Sequence, residues 1–485
     1  MKQYVELNKS YINGQWVEGE EDRLFTIENK YDQSVITKIK LASKAQVSEA
    51  FVGAKKAQVA WAKNHELRKI VLTNTINYFV DNKKDIIELL INESGSTVIK
   101  SELEYGSTMN LLNESLKMVD EIGKIKEGPS VIPGKINESY RLPIGVISSI
   151  APFNFPLYLS MRTIIPALAL GNAVVHKADL QVGIVSGSFI AKALEESGLP
   201  AGVFQSVLTK SSTIGDLMIE HPDAGFISFT GSTEVGKHIG AISGAQLKSV
   251  ALELGGNGPF IVLDDADVDQ AVKAGIFGKF LHQGQICMMI NRFIIHEKVY
   301  DEFVSKFVEH AKSLKVGDPR DPSVVIGPLI NNGQVELALK NIELAKEAGY
   351  DLLLGGDRIG NCVKPTVIAN VPNDSTLAQT ELFAPIALMI KASSNEEAID
   401  FANDTIYGLS SSIFSSDEDK AREYALELKF GMTHINDQTV NDEPTVPFGG
   451  MRQSGIGRFG NPWIVEELTE TKWVSVQKEK RVYPF

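Results

Sequence analysis

The sequence predicts an α/β protein made of two successive α/β units. From residue 144 onward, short apolar strands alternate with helical segments, which is typical of parallel sheets with helices on their faces. At 485 residues the chain is also longer than one hydrophobic core usually serves. The first series of predicted strands lies at 144–150, 173–176, 203–208, 225–229 and 249–252, and the second at 260–263, 292–296, 387–390, 411–414 and 432–435.

The region before residue 144 is predicted to begin with a hairpin and to continue as helices. Asn13 and Gly14 stand in the middle of segment 11–17, and Asn-Gly readily takes the positive φ angles of a two-residue turn. Helices then dominate to about residue 119, because apolar residues recur at the helical period. The clearest run is Val71, Leu72, Ile76, Phe79, Val80, Ile86, Leu89 and Leu90.

The C-terminal segment 472–477 alternates apolar and polar residues like a half-exposed strand. Two interpretations stay open from the pattern alone. The strand adds to the sheet of another subunit, or it forms an edge strand within its own subunit.

Composition and charge exclude several classes of protein. Hydrophobic residues make up 43% of the chain and charged residues 22%, as in folded globular proteins. A net charge of −13 disfavours nucleic acid and anionic membranes as partners, because both require a basic surface. Residues 1–10 contain no signal-peptide core, and no later apolar run reaches the roughly 18 residues of a membrane span. We therefore expect a cytoplasmic protein that acts on a small molecule.

Two motifs suggest sites that their context does not support. Gly455, Gly457 and Gly460 form G-x-G-x-x-G, but no apolar strand precedes them and too little chain follows for a βαβ unit. The acidic run Asp265, Asp267 and Asp269 resembles the start of a calcium loop, yet it lacks the required glycine and closing carboxylate. We expect this run to begin a helix. With no zinc-binding spacing either, no metal site is predicted.

Three residues are candidates for catalysis. Cys287 is one of two cysteines, too few for a disulfide framework, and a free cysteine is most often simply buried. Glu253 stands between apolar residues and before two glycines, where burial would raise its pKa toward that of a general base; a salt-bridged glutamate is the alternative. Asn154 lies among aromatic residues and prolines directly after a strand, a rigid place for a hydrogen-bond donor.

Taken together, these segments resemble the aldehyde dehydrogenase superfamily from the N-terminal hairpin almost to the last residue. Seven blocks carry the resemblance, in matching order and spacing. They are 152–156, 177–179, 229–236, 253–257, 284–287, 381–385 and 447–450.

The resemblance implies a three-part subunit. A Rossmann-like NAD(P)-binding domain would comprise residues 1–119 and 143–253, and an α/β catalytic domain residues 254–460. A small bridging sheet, from residues 120–142 and 461–485, would join subunits into a homodimer or homotetramer.

The resemblance also implies roles for individual residues. Cys287 would be the nucleophile and Glu253 the general base, while Asn154 and the backbone N–H of Cys287 would form the oxyanion hole. The chemistry implied is oxidation of an aldehyde to a carboxylic acid through a thioester, with no metal. Cofactor contacts would come from Lys177, Asp179, Gly231, Ser232, Gly236, Glu381 and Phe383.

One position departs from the pattern of NAD-selective members, which usually carry Glu where this chain has Asp179. The shorter side chain leaves more room for a 2′-phosphate. NAD is therefore the expected cofactor, and NADP use stays open.

The segment 434–443 resembles the corresponding loop of benzaldehyde, salicylaldehyde and vanillin dehydrogenases. An aromatic substrate would then be held by Phe155, Tyr158, Ile286, Met288 and Phe448, unless these residues merely fill the core. Other possibilities are an aliphatic or semialdehyde dehydrogenase, a coenzyme A-acylating dehydrogenase, and a catalytically silent binding protein. A cysteine hydrolase that uses His282 is a further alternative, but no orienting partner is evident.

Overall fold

The structure is a computed structural model that describes residue 4 and residues 7–485. The opening segment 1–10, expected to lack a signal-peptide core, lies partly outside the described residues. In chain order the strands are β1 (Ser10–Ile12), β2 (Gln15–Val17), β3 (Leu24–Glu28), β4 (Val35–Lys40), β5 (Ile125–Gly128), β6 (Lys135–Pro143), β7 (Val146–Ile150), β8 (Ala173–Lys177), β9 (Phe204–Val207), β10 (Ala224–Thr230), β11 (Ser249–Glu253), β12 (Gly258–Val262), β13 (Ile290–His296), β14 (Asp351–Leu354), β15 (Arg358–Ile359), β16 (Cys362–Val363), β17 (Thr366–Ala369), β18 (Ile386–Ala392), β19 (Ser410–Phe414), β20 (Met432–Ile435), β21 (Gly455–Ile456) and β22 (Thr469–Gln477).

Helices lie between most of these strands. They are α1 (Lys44–Lys63), α2 (His65–Asp81), α3 (Lys83–Ser94), α4 (Val98–Met118), α5 (Pro156–Ala169), α6 (Phe189–Glu196), α7 (Ser211–Ile214), α8 (Leu217–Glu220), α9 (Thr233–Ala245), α10 (Val268–Phe280), α11 (Glu297–Lys312), α12 (Asn332–Glu347), α13 (Thr376–Gln379), α14 (Asn395–Asn403), α15 (Glu418–Glu427) and α16 (Trp463–Glu467).

The first large sheet has the strand order β2-β1-β9-β8-β7-β10-β11-β21. Its five central strands are parallel, and the strands directly beside them, β1 and β21, run antiparallel to them. The predicted strands of the first series are confirmed in these five. Because the central strands are parallel, their carboxyl ends share one edge of the sheet, where ligands bind in open α/β folds.

The second large sheet has the order β14-β17-β18-β13-β12-β19-β20 and is parallel except at β14. The five predicted strands of the second series are confirmed in β12, β13, β18, β19 and β20. Strands β14 and β17 were not predicted. Each has four residues, and such short segments carry little periodicity.

A third sheet is antiparallel and joins segments distant in sequence, in the order β22-β6-β5. All nine residues of β22 pair with β6 of the same chain. The C-terminal segment is therefore an edge strand beside its own chain, as the second interpretation holds. Its other edge faces outward, so assembly through this sheet stays a prediction.

The N-terminal region matches its prediction except at one hairpin. Asn13 and Gly14, with φ of 54° and 79°, form the turn between β1 and β2 as predicted. Helices α1 to α4 cover residues 44–118. Strands β3 and β4 form an antiparallel hairpin before them that was not predicted, because each strand buries a single residue, Ile27 or Ile39, and so has no clear apolar pattern.

The two misleading motifs have structural roles. Gly455 belongs to β21, which pairs with β11 and extends the first sheet although it lies within the predicted catalytic segment. Asp267 caps the N-terminus of α10 by accepting a hydrogen bond from the backbone of Gln270, so the acidic run does begin a helix. No cluster suited to a metal ion occurs among the described residues.

Candidate active site

The loop that carries Cys287 has an unusual backbone. His282, Gln283 and Gly284 have φ of 49°, 56° and 71°, so three successive residues adopt the left-handed conformation. The side-chain amide of Gln283 donates to the carbonyl of Pro328, 2.8 Å away. Contacts of this kind hold the strained backbone in place, and strain of this kind clusters at functional sites.

Asn154 lies in the turn between β7 and α5. Pro156 begins the helix at its first position, where a missing N–H has no cost. The amide nitrogen of Asn154 donates to the carbonyl of Gln285, 3.0 Å away, and the side chain is 4% exposed. A primary amide carries two hydrogens, so one remains for another acceptor near Cys287.

Glu253 ends β11 and is 1% exposed. Its backbone is fixed on both sides, by Gly455 of β21 and by the N–H of Gly231, which donates to the Glu253 carbonyl at 2.9 Å. Neither carboxylate oxygen has a hydrogen-bond partner among the described residues. Burial raises the pKa of Glu253 to about 8, although the Arg162 guanidinium opposes the rise. Glu253 is thus a base without a fixed partner.

The thiol of Cys287 is protonated in this environment. Burial, followed by the negative charge of Glu253, raises the Cys287 pKa to about 12. Arg162 again acts in the opposite direction. Because the thiolate is the nucleophile, this cysteine needs a base or a change of environment before it reacts.

Two cavities of about 280 Å³ each meet at Asn154 and Cys287. One contains the five residues predicted to hold the substrate, which are Phe155, Tyr158, Ile286, Met288 and Phe448. The other contains Glu253 and four predicted cofactor residues, which are Gly231, Ser232, Glu381 and Phe383. Cys287 therefore lines both the predicted substrate cavity and the predicted cofactor cavity.

A buried ion pair in the first cavity was not predicted. Arg162 Nη1 lies 3.0 Å from Asp442 Oδ2, and the guanidinium carbon lies 4.6 Å from the ring centre of Phe448. The available signal was helical spacing: Tyr158 and Arg162 are four residues apart in α5 and share one face of the helix. Asp442, the partner of Arg162, lies 280 positions away in the sequence, so the ion pair could not be inferred.

The predicted phosphate-binding residues lie at the start of α9. Ser232 caps this 13-residue helix by accepting a hydrogen bond from Val235 N–H. A side chain at Gly231 would collide with the Phe229 ring. Gly236 differs from the other two, because its N–H donates to the Ser232 carbonyl and its bare Cα accommodates Leu254. Gly236 thus packs the helix on the sheet.

Glu381 and Phe383 close the second cavity from the catalytic segment. The carboxylate of Glu381 accepts a hydrogen bond from Gly256 N–H at 3.0 Å, and burial raises the Glu381 pKa to about 7. A side chain on Gly255 would collide with Glu381. Phe383 has a φ of 49° and meets the Phe153 ring edge to face at 5.9 Å.

Lys177 and Asp179 are not among the residues that line this cavity. Lys177 is the last residue of β8 and Asp179 follows that strand, which lies beside β7, so both residues are at the same edge of the sheet. Burial lowers the pKa of Lys177, opposed by the nearby Asp179. The Asp179 carboxylate accepts a hydrogen bond from Gln181 N–H at 2.9 Å, which fixes its position.

His282 gives no support to a cysteine hydrolase. Its ring packs edge to face against Phe155 at 5.8 Å. Neither ring nitrogen has a partner among the described residues, so no orienting group is present there. Burial holds the His282 pKa well below its ordinary value.

The sequence was compared with protein families and with individual proteins. The profile of the aldehyde dehydrogenase family matches residues 16–474. The chain belongs to the aldehyde dehydrogenase family. This aldehyde dehydrogenase, an oxidoreductase, is 43% identical to the benzaldehyde dehydrogenase YfmT of Bacillus subtilis (strain 168) over all of both chains. It is 44% identical to a vanillin dehydrogenase of Corynebacterium glutamicum (strain ATCC 13032), over 98% of each.

The fold of this aldehyde dehydrogenase is that of solved family members. A betaine aldehyde dehydrogenase of Staphylococcus aureus, solved in complex with NAD+, superposes with a TM-score of 0.95 at 29% identity. The match covers 100% of this chain and 99% of that one. None of the described helices combines the length and apolar composition needed to cross a membrane.

Proposed function

We propose that this aldehyde dehydrogenase oxidises an aromatic aldehyde, of the benzaldehyde or vanillin type, to its carboxylic acid. The reaction proceeds through a thioester on Cys287, with NAD+ as the hydride acceptor. The observation that carries the proposal is the cavity at Cys287, in which all five predicted substrate residues come together. The names of the two relatives at 43% and 44% identity point the same way.

The second cavity is suited to a dinucleotide. Bare backbone at Gly231 and Gly255 leaves room beside Phe229 and Glu381. The N-terminus of α9 turns backbone N–H groups and a positive dipole end toward a diphosphate. Bound NAD+ supplies the acceptor for the hydride, and the Staphylococcus aureus betaine aldehyde dehydrogenase was solved with this same cofactor. Glu381 and Phe383 would hold the nicotinamide end.

In the first half of the reaction, the thiol of Cys287 gives its proton to solvent water and its sulfur bonds to the aldehyde carbon, whose carbonyl oxygen becomes an oxyanion. The free hydrogen of the Asn154 amide and the Cys287 backbone N–H then donate to the oxyanion. Donors fixed before reaction stabilise this charge strongly, because the site has excluded water.

In the second half, the carbonyl forms again as hydride departs, and a thioester remains on Cys287. Glu253 removes a proton from water, whose oxygen attacks the thioester carbon. The sulfur leaves and the carboxylic acid is released. Because the Glu253 carboxylate oxygens have no fixed partner among the described residues, they are available to orient that water. This arrangement favours water over coenzyme A as acyl acceptor.

An aromatic ring fits the first cavity better than a short chain does. Its walls include the apolar parts of Phe155, Ile286, Met288 and Phe448. Burying a ring there contributes about 1.5–3 kcal/mol, or one to two powers of ten in affinity. A short aliphatic aldehyde gains less, because it buries fewer carbon atoms. The alternative is an aliphatic or semialdehyde dehydrogenase with the same chemistry.

We propose that the enzyme uses NAD as its cofactor and also accepts NADP to some degree. Asp179 is shorter than the glutamate of NAD-selective members and leaves more room near the adenosine ribose. Lys177, two positions before it, is the positive charge available there. Gly236 contributes by packing the helix that meets the diphosphate.

The organisation beyond the site is proposed on the same family basis. The NAD(P)-binding domain comprises residues 1–119 and 143–253, the catalytic domain 254–460, and the bridging segments 120–142 and 461–485. The sheet of β5, β6 and β22 joins subunits into a homodimer or homotetramer. The exposed edge of this sheet at β22 supports that assembly. We also propose that the protein is located in the cytoplasm.

A substrate series tests the proposal. The purified protein is assayed for reduced cofactor with acetaldehyde, hexanal, benzaldehyde and vanillin, each with NAD+ and NADP+, with and without coenzyme A. We expect benzaldehyde or vanillin to have the highest kcat/KM and coenzyme A to have no effect. A tenfold advantage for acetaldehyde or hexanal would overturn the aromatic assignment and leave the thioester chemistry standing.

A further inference from the structure

A buried ion pair on helix α4 contacts the turn that carries Asn154. Lys100 and Glu104 are four residues apart, and both side chains have 0% exposure. The ammonium of Lys100 lies 2.5 Å from a Glu104 carboxylate oxygen. The same ammonium donates to the backbone carbonyl of Asn154 at 2.7 Å. Lys100 therefore fixes the backbone of Asn154, whose side-chain amide donates to the Gln285 carbonyl in the loop before Cys287.

The other carboxylate oxygen of Glu104 binds the start of helix α5. That oxygen accepts hydrogen bonds from the backbone N–H groups of Leu157 at 2.9 Å and Tyr158 at 3.1 Å. These groups lie in the first turn of α5, which has no side-chain cap of its own. A carboxylate at this end also interacts favourably with the helix dipole. Glu104 thus replaces the missing cap and fixes the helix that carries Tyr158 and Arg162.

The Lys100 ammonium also packs on the ring of Phe155. The nitrogen lies 4.2 Å from the ring centre. Lys100 thereby contacts two consecutive residues of the turn, Asn154 through its carbonyl and Phe155 through its ring. Burial lowers the Lys100 pKa, while Glu104 raises it. A buried ion pair is seldom more stabilising than apolar side chains of the same size, because removing two charges from water is costly. The Lys100–Glu104 pair is better explained by the position that it gives to the Asn154 turn and to the start of α5.

We propose that Lys100 and Glu104 are positioning residues of the active site, which hold the Asn154 turn and the start of α5 so that the Asn154 amide stays aimed at the oxyanion. The proposal depends on the role of Asn154 given under Proposed function. Loss of the pair would let the turn move, and displacements near 1 Å at a reacting centre lower rates by up to about 100-fold.

A double-mutant cycle separates positioning from general stability. Four proteins are compared: the unsubstituted enzyme, Lys100→Met, Asn154→Ala and the double variant. Lys100→Met is expected to lower kcat/KM for benzaldehyde about 10- to 100-fold with little change in KM for NAD+, because neither Lys100 nor Glu104 lines the cavity predicted to hold the cofactor. In the Asn154→Ala background the same change should cost less than about twofold, since the group it positions is absent.

Lys117→Met is the matched control. Lys117 lies on the same helix and pairs with Glu114 at 2.6 Å, but its side chain is 70% exposed. We expect kcat/KM to be unchanged in this variant. If Lys100→Met does not fold, Glu104→Gln replaces it in the cycle, because glutamine keeps the shape and can still accept from Leu157 N–H.

The outcomes are distinct. Equal losses from Lys100→Met in both backgrounds would overturn the positioning role and leave Asn154 in place. An Asn154→Ala variant with unchanged kcat/KM would instead contradict the proposed oxyanion hole. A loss in Lys100→Met that disappears without Asn154 supports the inference.

Discussion

The side-chain amide of Asn154 donates a hydrogen bond to the backbone carbonyl of Gln285, two residues before Cys287. This bond orients the amide and leaves its second hydrogen free for the role proposed above, donation to the substrate oxygen. We predict that Asn154→Ala lowers kcat for benzaldehyde about 100- to 1,000-fold, the usual cost of losing one oxyanion donor. Steady-state kinetics would check this, with circular dichroism to verify folding. Retention of more than a tenth of the activity would argue against the donor role.

The two cysteines should behave differently. We predict that Cys287→Ala lowers dehydrogenase activity to below about one-thousandth, because no nucleophile remains. Cys362 is the internal control. It is buried in β16 with its sulfur 3.8 Å from the Gly317 carbonyl, and it lines neither cavity. Cys362→Ala should keep activity within about twofold. Comparable losses from both substitutions would contradict the assignment of Cys287.

Activity should rise with pH in the slightly alkaline range. Burial raises the pKa of Glu253 to about 8, so below that pH the carboxyl is mostly protonated and cannot take a proton from water. When thioester hydrolysis limits turnover, kcat should increase as pH rises through about 8 and level off above it. Stopped-flow measurement of hydrolysis between pH 6 and 10 tests this. A rate that is flat across the range would show that Glu253 is not the titrating base.

Cofactor preference should respond to the length of the side chain at position 179. We predict that Asp179→Glu raises the ratio of kcat/KM for NAD+ over NADP+ about tenfold, because the longer carboxylate repels the 2′-phosphate sterically and electrostatically. The exposed Asp81 offers a matched control, and Asp81→Glu should leave the ratio unchanged. An unaltered ratio in Asp179→Glu would place selectivity at another residue.

Local patterns were sufficient to predict most of the fold. Apolar strands that alternate with helices identified the central strands of both large sheets, since buried parallel strands are continuous apolar runs. The hairpin of β3 and β4 was not predicted because each strand buries only one residue, which leaves no clear alternation of apolar and polar positions. The pairing of β22 with β6 joins segments more than 300 residues apart. The family resemblance implied that both belong to one small sheet, but the register of their pairing required the structure.

The candidate site likewise contains residues that a local pattern identifies and residues that only the long-range packing brings together. Cys287, Glu253 and Asn154 lie in short motifs and could be found from the sequence. The partners that tune them are long-range: Asp442 reaches Arg162 across 280 positions, and Lys100 reaches the Asn154 carbonyl across 54. Neither pair has a local signature, because each contact depends on how whole helices and loops pack.

The central claim is that a thioester forms on Cys287 and is hydrolysed with Glu253 as the base. The most direct measurement is mass spectrometry of the Glu253→Gln variant after mixing with NAD+ and benzaldehyde. Glu253 is needed for the attack of water and not for the attack of the thiol, so Cys287 should still become acylated in this variant. We predict a burst of about one reduced cofactor per site, followed by a stall, with a benzoyl group on the peptide that contains Cys287. A burst without acylation of that peptide would contradict the account.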